Sequence, residues 1–256
     1  MEKDMKVDNI DFSMKQGEGI GFSASVLNKV KKFIEEGKLL KFDVDSEKRD
    51  EKGVMLTDSR YAYEEKLDRY YFKFWRATLV DDNAKQRIKQ TNVYVNPSLY
   101  NYTLDEVKSM LRGGAVEREM LDKDKNAKMG WAQIDPKEED KFGMPRIRFF
   151  TYGYSFEKAV NNYLFKENEN QAAMIDAVNI VKKGGFAPMT GEDGNLYYVG
   201  PQVRYNDVDI FFSNMVKLKK AEKEDLMKVK PENKQGEDLN GDTSKENKQK
   251  RGMHVS

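Results

Sequence analysis

The stretch Thr103–Leu121, TLDEVKSMLRGGAVEREML, decides how the chain is read. Leu104, Val107, Met110 and Leu111 recur at helical spacing, and Thr103 with Glu106 has the capping-box spacing at its start. Gly113 and Gly114 follow, where a left-handed residue closes a helix, and Ala115–Leu121 then reads as a strand. The same helix–glycine–strand junction recurs as FIEEGKLLKF before it and VKKGGFAPMT after it. Working outward, helices are predicted over Ser23–Glu36, Thr103–Arg112, Ser155–Leu164 and Gln171–Lys183. Gly37, Gly113 and Gly184 end three of them.

Between these helices the period changes to two. Strands are predicted over Tyr71–Leu79, Thr91–Asn96, Met129–Asp135, Arg146–Tyr152, Asn195–Tyr205 and Val208–Phe212, and after the glycines over Lys38–Val44, Ala115–Leu121 and Phe186–Met189. Tyr100–Val107 (YNYTLDEV) matches Tyr152–Ala159 (YGYSFEKA) as Y-x-Y-[ST]-[LF]-[DE]-x-[VA]. The economical reading is α+β: about three tandem helix–Gly–antiparallel-strand units, over 23–102, 103–154 and 155–213, sharing a mixed sheet with helices packed on it. Chance plus capping preference is the alternative reading of the match.

Composition bounds both the folded part and the chemistry. The 256 residues include 14 Phe, 13 Tyr and 2 Trp, too many aromatic residues for a disordered chain. None lies beyond Phe212. From 219 to 256 there are 10 Lys/Arg and 8 Asp/Glu with few apolar residues, which reads as a charged low-complexity tail. Residues 1–9 are expected to be a flexible N-terminus and 10–218 the folded region. With no Cys there is no thiolate nucleophile, disulfide or Cys-based zinc site, and the one His, His254, leaves no nucleophile–His pair. Lys+Arg 45 against Asp+Glu 44 gives +1, without the basic excess of a dedicated nucleic-acid binder. No run approaches the ~20 apolar residues of a membrane span and no signal-peptide pattern appears, so a cytoplasmic protein without membrane contact is expected.

From Thr91 to Phe212 a series of motifs appears: Leu111-Arg112-Gly113-Gly114-Ala115-Val116, Trp131-Ala132-Gln133-Ile134-Asp135, Tyr152-Gly153-Tyr154-Ser155-Phe156 and Val199-Gly200-Pro201-Gln202. This series resembles a family of uncharacterised proteins, a domain of unknown function carried on Bacteroidetes mobile elements. These are mainly conjugative transposons and plasmids, and the domain is sometimes joined to a topoisomerase. Gly114 and Gly200 depart from the family pattern, which has Arg and Asn there. The resemblance implies a mobile-element accessory protein whose protein partners are encoded with it, and it carries over no catalytic residues.

Local chemical signals are weak. Gly17-Glu18-Gly19-Ile20-Gly21 reads as a hinge more readily than as a phosphate loop, since the segment before it is short and polar. The carboxylate pairs Asp43/Asp45, Asp81/Asp82 and Asp207/Asp209 could offer oxygen ligands to a hard cation, but none fits the EF-hand spacing and a solvated face is the simpler reading. No catalytic residue, cofactor or metal is expected. The candidate binding surface is a set of aromatic and basic strand residues: Lys73, Trp75, Arg76, Arg146, Arg148, Phe150, Tyr152 and Tyr154. Exposed rings there would stack on unpaired bases at about 1–3 kcal/mol each while the cations track phosphates. Ordinary half-buried alternation explains the same pattern. The chain is therefore read as a non-enzymatic protein-interaction module, with single-stranded nucleic-acid binding in transfer or replication as the alternative. Oligomeric state is not legible.

Overall fold

A helix feeds an antiparallel meander, and this step is taken three times along the chain. The computed structural model describes residues 2–37, 39–50, 53–81, 88–95, 101–121, 124, 126–151 and 153–228. After α1 (Glu2–Ile20), α2 (Ala24–Glu36) leads into β1 (Lys41–Asp50), β2 (Gly53–Glu64), β3 (Arg69–Asp81) and β4 (Ile88–Tyr94). Next, α3 (Leu104–Leu111) leads into β5 (Ala115–Leu121), β6 (Ala127–Glu139) and β7 (Pro145–Phe150). Finally, α4 (Phe156–Val160) and α5 (Gln171–Lys182) lead into β8 (Ala187–Thr190), β9 (Leu196–Gln202) and β10 (Asp207–Phe212), with α6 (Lys220–Asp225) last. The fold is α+β. Gly37, Gly113 and Gly184 all take positive φ (60°, 103° and 87°), the conformation that lets each helix end and its strand begin.

The strands do not share one mixed sheet. They form three antiparallel sheets of order β1-β2-β3-β4, β5-β6-β7 and β10-β9-β8. Consecutive hairpins satisfy each meander's hydrogen bonds locally, so no crossover is needed. The middle sheet instead separates two cores. Val116 and Ala132 enter the first core, whereas their chain neighbours Ala115 and Trp131, with Phe150, enter the second. Alternate residues of a strand face opposite ways, so one sheet serves both.

In the first core, α1, α2 and α3 cover one face of the first sheet. Rings from α2 and three strands form a ladder there: Phe33 to Phe42 4.9 Å, Phe42 to Tyr61 4.9 Å and Tyr61 to Phe72 4.5 Å. Such pairs contribute ~0.5–1.5 kcal/mol each beyond area burial.

Three boundaries differ from expectation. Residues 2–20 are helical rather than a loose terminus and hinge: Gly17 lies within α1, where a Cβ would collide with Leu27 Cδ2. The helix expected over Ser155–Leu164 is shorter and ends at Val160, whereas the one expected over Gln171–Lys183 forms as α5. Ser155 caps the five-residue α4 by accepting from the Lys158 N–H, and the glycine junction belongs to α5. The folded part also runs past 218. Leu218 and Leu226 are buried in the second core, the Leu164 N–H donates to the Leu226 carbonyl at 2.7 Å, and Lys223 pairs with Asp207 at 2.5 Å. The stretch 229–256 lies outside the described residues.

Candidate functional site

The expected aromatic platform divides once register is known. In β3, Tyr70 and Phe72 face the core, and simple alternation would put Trp75 on the opposite face beside Lys73. The pairing steps from Tyr61↔Phe72 to Arg60↔Phe74, so Lys73 is an extra residue in a β-bulge. Beyond it the phase reverses: Trp75, Ala77 and Leu79 face the core, and Trp75 is 0% exposed. Phe150 and Tyr154 are buried in the second core. Burial raises the affinity of the Tyr154 hydroxyl for its proton, and that hydroxyl donates to the Asp207 carbonyl at 2.9 Å. These three rings offer no stacking surface, which corrects the expectation for them.

The cations stay at the surface on two different sheets. Lys73 lies 5.0 Å from the Tyr71 ring centroid, and Arg76 is half-buried with Nε 3.5 Å from Asn92. Arg146 is exposed, and Arg148 is ion-paired with Glu138. Tyr152 lies outside the described residues.

The bulge assembles a different surface. On the outer face of the first sheet, opposite the helices, register sets Asp43, Arg60, Phe74 and Tyr94 in one row across all four strands. The second row is Asp45, Asp58, Arg76 and Asn92, and the third is Glu47, Leu56, Thr78 and Gln90. The β6–β7 hairpin folds over the end of the first row, placing Phe142 6.1 Å from Phe74, which is 5.9 Å from Tyr94. Tyr94 is 47% and Phe142 49% exposed. Asp140 fastens this hairpin. It accepts from Asn92 Nδ2 at 2.8 Å, the Tyr94 hydroxyl at 3.0 Å and the Phe142 and Met144 N–H groups. Burial opposes its ionisation, but these donors outweigh burial and hold its carboxyl below the usual range.

Charge on this face is mostly settled. Arg60 donates two bonds of 2.8 Å to Asp43, which lowers the Asp43 pKa, and its guanidinium lies 5.4 Å from the Phe74 centroid. The second row is the exception. Asp45 and Asp58 stand directly opposite each other, which like charges disfavour. Burial first, then Asp43 and Asp45, push the Asp58 carboxyl above its ordinary range, and Asp58 Oδ1 is buried without a hydrogen-bond partner. A cleft of about 520 Å³ beside β1 is lined by residues of both faces of the sheet, with Ser46 and Thr57 on the helix side near Ser23 and Lys29, and Asp45, Glu47 and Asp58 on the outer side.

The residues Trp131-Ala132-Gln133-Ile134-Asp135 do structural work. The Gln133 amide donates to the Pro201 carbonyl at 2.8 Å and accepts from the Val203 N–H at 3.1 Å. Asp135 pairs with Arg204. The motif thus fastens the second unit to the third. Among the described residues, no three His, Asp or Glu side chains gather to hold a metal, and no helix is long and apolar enough to cross a membrane. No family model, curated relative or solved structure matches the chain.

Proposed function

We propose that this chain is a non-enzymatic, cytoplasmic accessory protein of a mobile element, acting as a protein-interaction module through the outer face of its first sheet. The setting rests on the motif resemblance. The binding reading rests on one observation: Phe74, Tyr94 and Phe142 form a partly exposed ring cluster whose adjacent Arg60 is already paired with Asp43. Rings beside neutralised cations suit the desolvated centre of a protein interface, where aromatic residues carry most of the affinity. A phosphate backbone calls for unpaired cations instead.

Cross-linking the full-length chain to proteins encoded beside it tests this. Tyr94→Ala and Phe142→Ala should each weaken the captured complex by about tenfold or more, the hot-spot scale. Capture unchanged in both variants would refute the site. Affinity for single-stranded DNA or RNA that falls linearly with log salt, and is lost in Lys73→Ala with Arg146→Ala, would favour the nucleic-acid reading instead.

A further inference from the structure

The margins of the first and third sheets are treated differently. In the third sheet, residues 216–218 bond along β10, and Phe165 bridges to Gly191 at the end of β8. β1 has β2 on one side, and its own ladder shows which groups face the other. The Tyr63 N–H donates to the Leu40 carbonyl at 2.8 Å, continuing the register Lys41↔Ala62. Hydrogen-bonded pairs in an antiparallel ladder alternate, so even positions of β1 bond to β2 and the odd ones turn N–H and C=O to the open side. No described residue bonds the backbone of Asp43, Asp45 or Glu47 there.

Those same odd positions carry exposed carboxylates along the outer face, and neither Asp45 nor Glu47 has an ion-pair partner within 4 Å among the described residues. The Asp45–Asp58 opposition and the orphaned Asp58 oxygen lie beside them. An unpaired strand edge is a template for another strand, and the charge along this one selects what is added. A second copy does not suit it: antiparallel self-pairing centred anywhere from 43 to 47 sets carboxylate against carboxylate.

We infer that the open edge of β1 receives an extended basic segment of a protein partner as a fifth strand of the first sheet, with alternate Lys or Arg side chains meeting Asp45, Asp58 and Glu47. Backbone bonds to the odd positions supply the pairing, and the cations relieve the opposed carboxylates. This inference deepens the interaction-module reading and rests on it.

The test titrates full-length protein into a fluorescein-labelled decapeptide of alternating Lys and Thr, with a Glu–Thr decapeptide and an alternately N-methylated Lys–Thr decapeptide as controls. The Lys–Thr peptide should bind and weaken as salt rises, and the Glu–Thr peptide should not bind. N-methylation should cost about tenfold or more, because it removes the donors of a ladder while keeping the charge. Glu47→Pro removes an outward N–H and no β1–β2 bond, so it should weaken binding similarly with the fold retained. Asp45→Asn and Asp58→Asn should each weaken it by up to about fivefold. The inference is overturned by absent binding, by equal binding of the Glu–Thr or N-methylated peptide, or by a dimer in sedimentation that Glu47→Pro dissociates. A partner still captured through Tyr94 and Phe142 after such a failure would leave the broader reading standing.

Discussion

Replacing Gln133 by Leu tests whether the second and third units are held together by one amide. The side chain meets the Pro201 carbonyl at 2.8 Å and the Val203 N–H at 3.1 Å, and Pro201 and Val203 are both buried. Leucine matches the volume but can make neither of these two hydrogen bonds. An unsatisfied buried group costs about 1–3 kcal/mol. The cleft of about 190 Å³ beside Gln133 admits water to part of this surface, so the low end applies and the sum is about 2–3 kcal/mol. For a domain of this size 1 kcal/mol moves the Tm by roughly 2–4 °C, which predicts a loss of about 4–12 °C. Urea denaturation followed by Trp fluorescence should show a lower midpoint. Gln133→Glu should be destabilised as well, because its carboxylate would face the Pro201 carbonyl. A Gln133→Leu variant within about 0.5 kcal/mol of the parent would refute the latch, since that is the scale of an indifferent surface substitution.

Two glycines separate backbone from steric cost. Gly113 (φ 103°) has nothing within 4 Å of an added Cβ, whereas at Gly184 (φ 87°) a Cβ would meet Ser109 Cβ at 2.7 Å and Val116 Cγ1 at 2.8 Å. Gly113→Ala should cost about 1–2 kcal/mol from φ alone, and Gly184→Ala a further 1–3 kcal/mol or so from overpacking; equal losses in urea would contradict the packing described. Asp58 has its folded pKa raised above the ordinary 3.8, so the folded chain binds that proton more tightly and the group's contribution to stability falls as pH rises through this window. Asp58→Asn should therefore raise stability at neutral pH and remove that slope, while Asp43→Asn should lower it, because the Asp43 pKa is depressed and its contribution is lost as pH falls; denaturation midpoints of the two variants across acidic to neutral pH check both signs. Ending the chain at 218 should destabilise it by removing Leu226 and the Lys223–Asp207 pair, and ending it at 228 should not; the thermal midpoints of the two truncations decide this.

What could be read from the sequence was what repeats locally. Apolar spacing with a terminal glycine placed α2, α3 and α5 within a residue or two, because capping and helix termination act over a few neighbouring positions. β2 escaped because its core-facing positions include Thr57 and Ser59 between Met55 and Tyr61, which breaks the apolar alternation. α1 escaped for a related reason: it buries Asn9, Ser13 and Gln16, so it carries no clear apolar stripe. The tail boundary was drawn at 218, a few residues past the last aromatic, yet Leu226 reaches back into the second core through contacts no local pattern announces. The candidate surface on the outer face of the first sheet was least legible. A single extra residue at Lys73 sends Trp75 inward and turns Phe74 outward, and a bulge is fixed by the pairing of two strands rather than by either one.

The two departures from the expected motif series gain a physical meaning here. At Gly114 a Cβ would meet the Gly184 carbonyl oxygen at 2.7 Å, and at Gly200 it would meet Phe186 Cδ1 at 2.8 Å. An Arg at 114 would therefore require the turn after α5 to move away from the turn after α3. Val116 bridges to Lys183 across the same contact, so the helix-ending turns of the second and third units are packed backbone to backbone. Trp131, Gln133 and Asp135 point the same way: one fills the second core, one bonds the backbone of the third unit and one pairs with Arg204. The motifs behind the resemblance are thus mostly the joints between units. On the outer face of the first sheet, Asp43, Asp45, Asp58, Arg60 and Phe74 lie before the stretch where the motif series begins, while Tyr94 and Phe142 lie within that stretch but outside its four motifs.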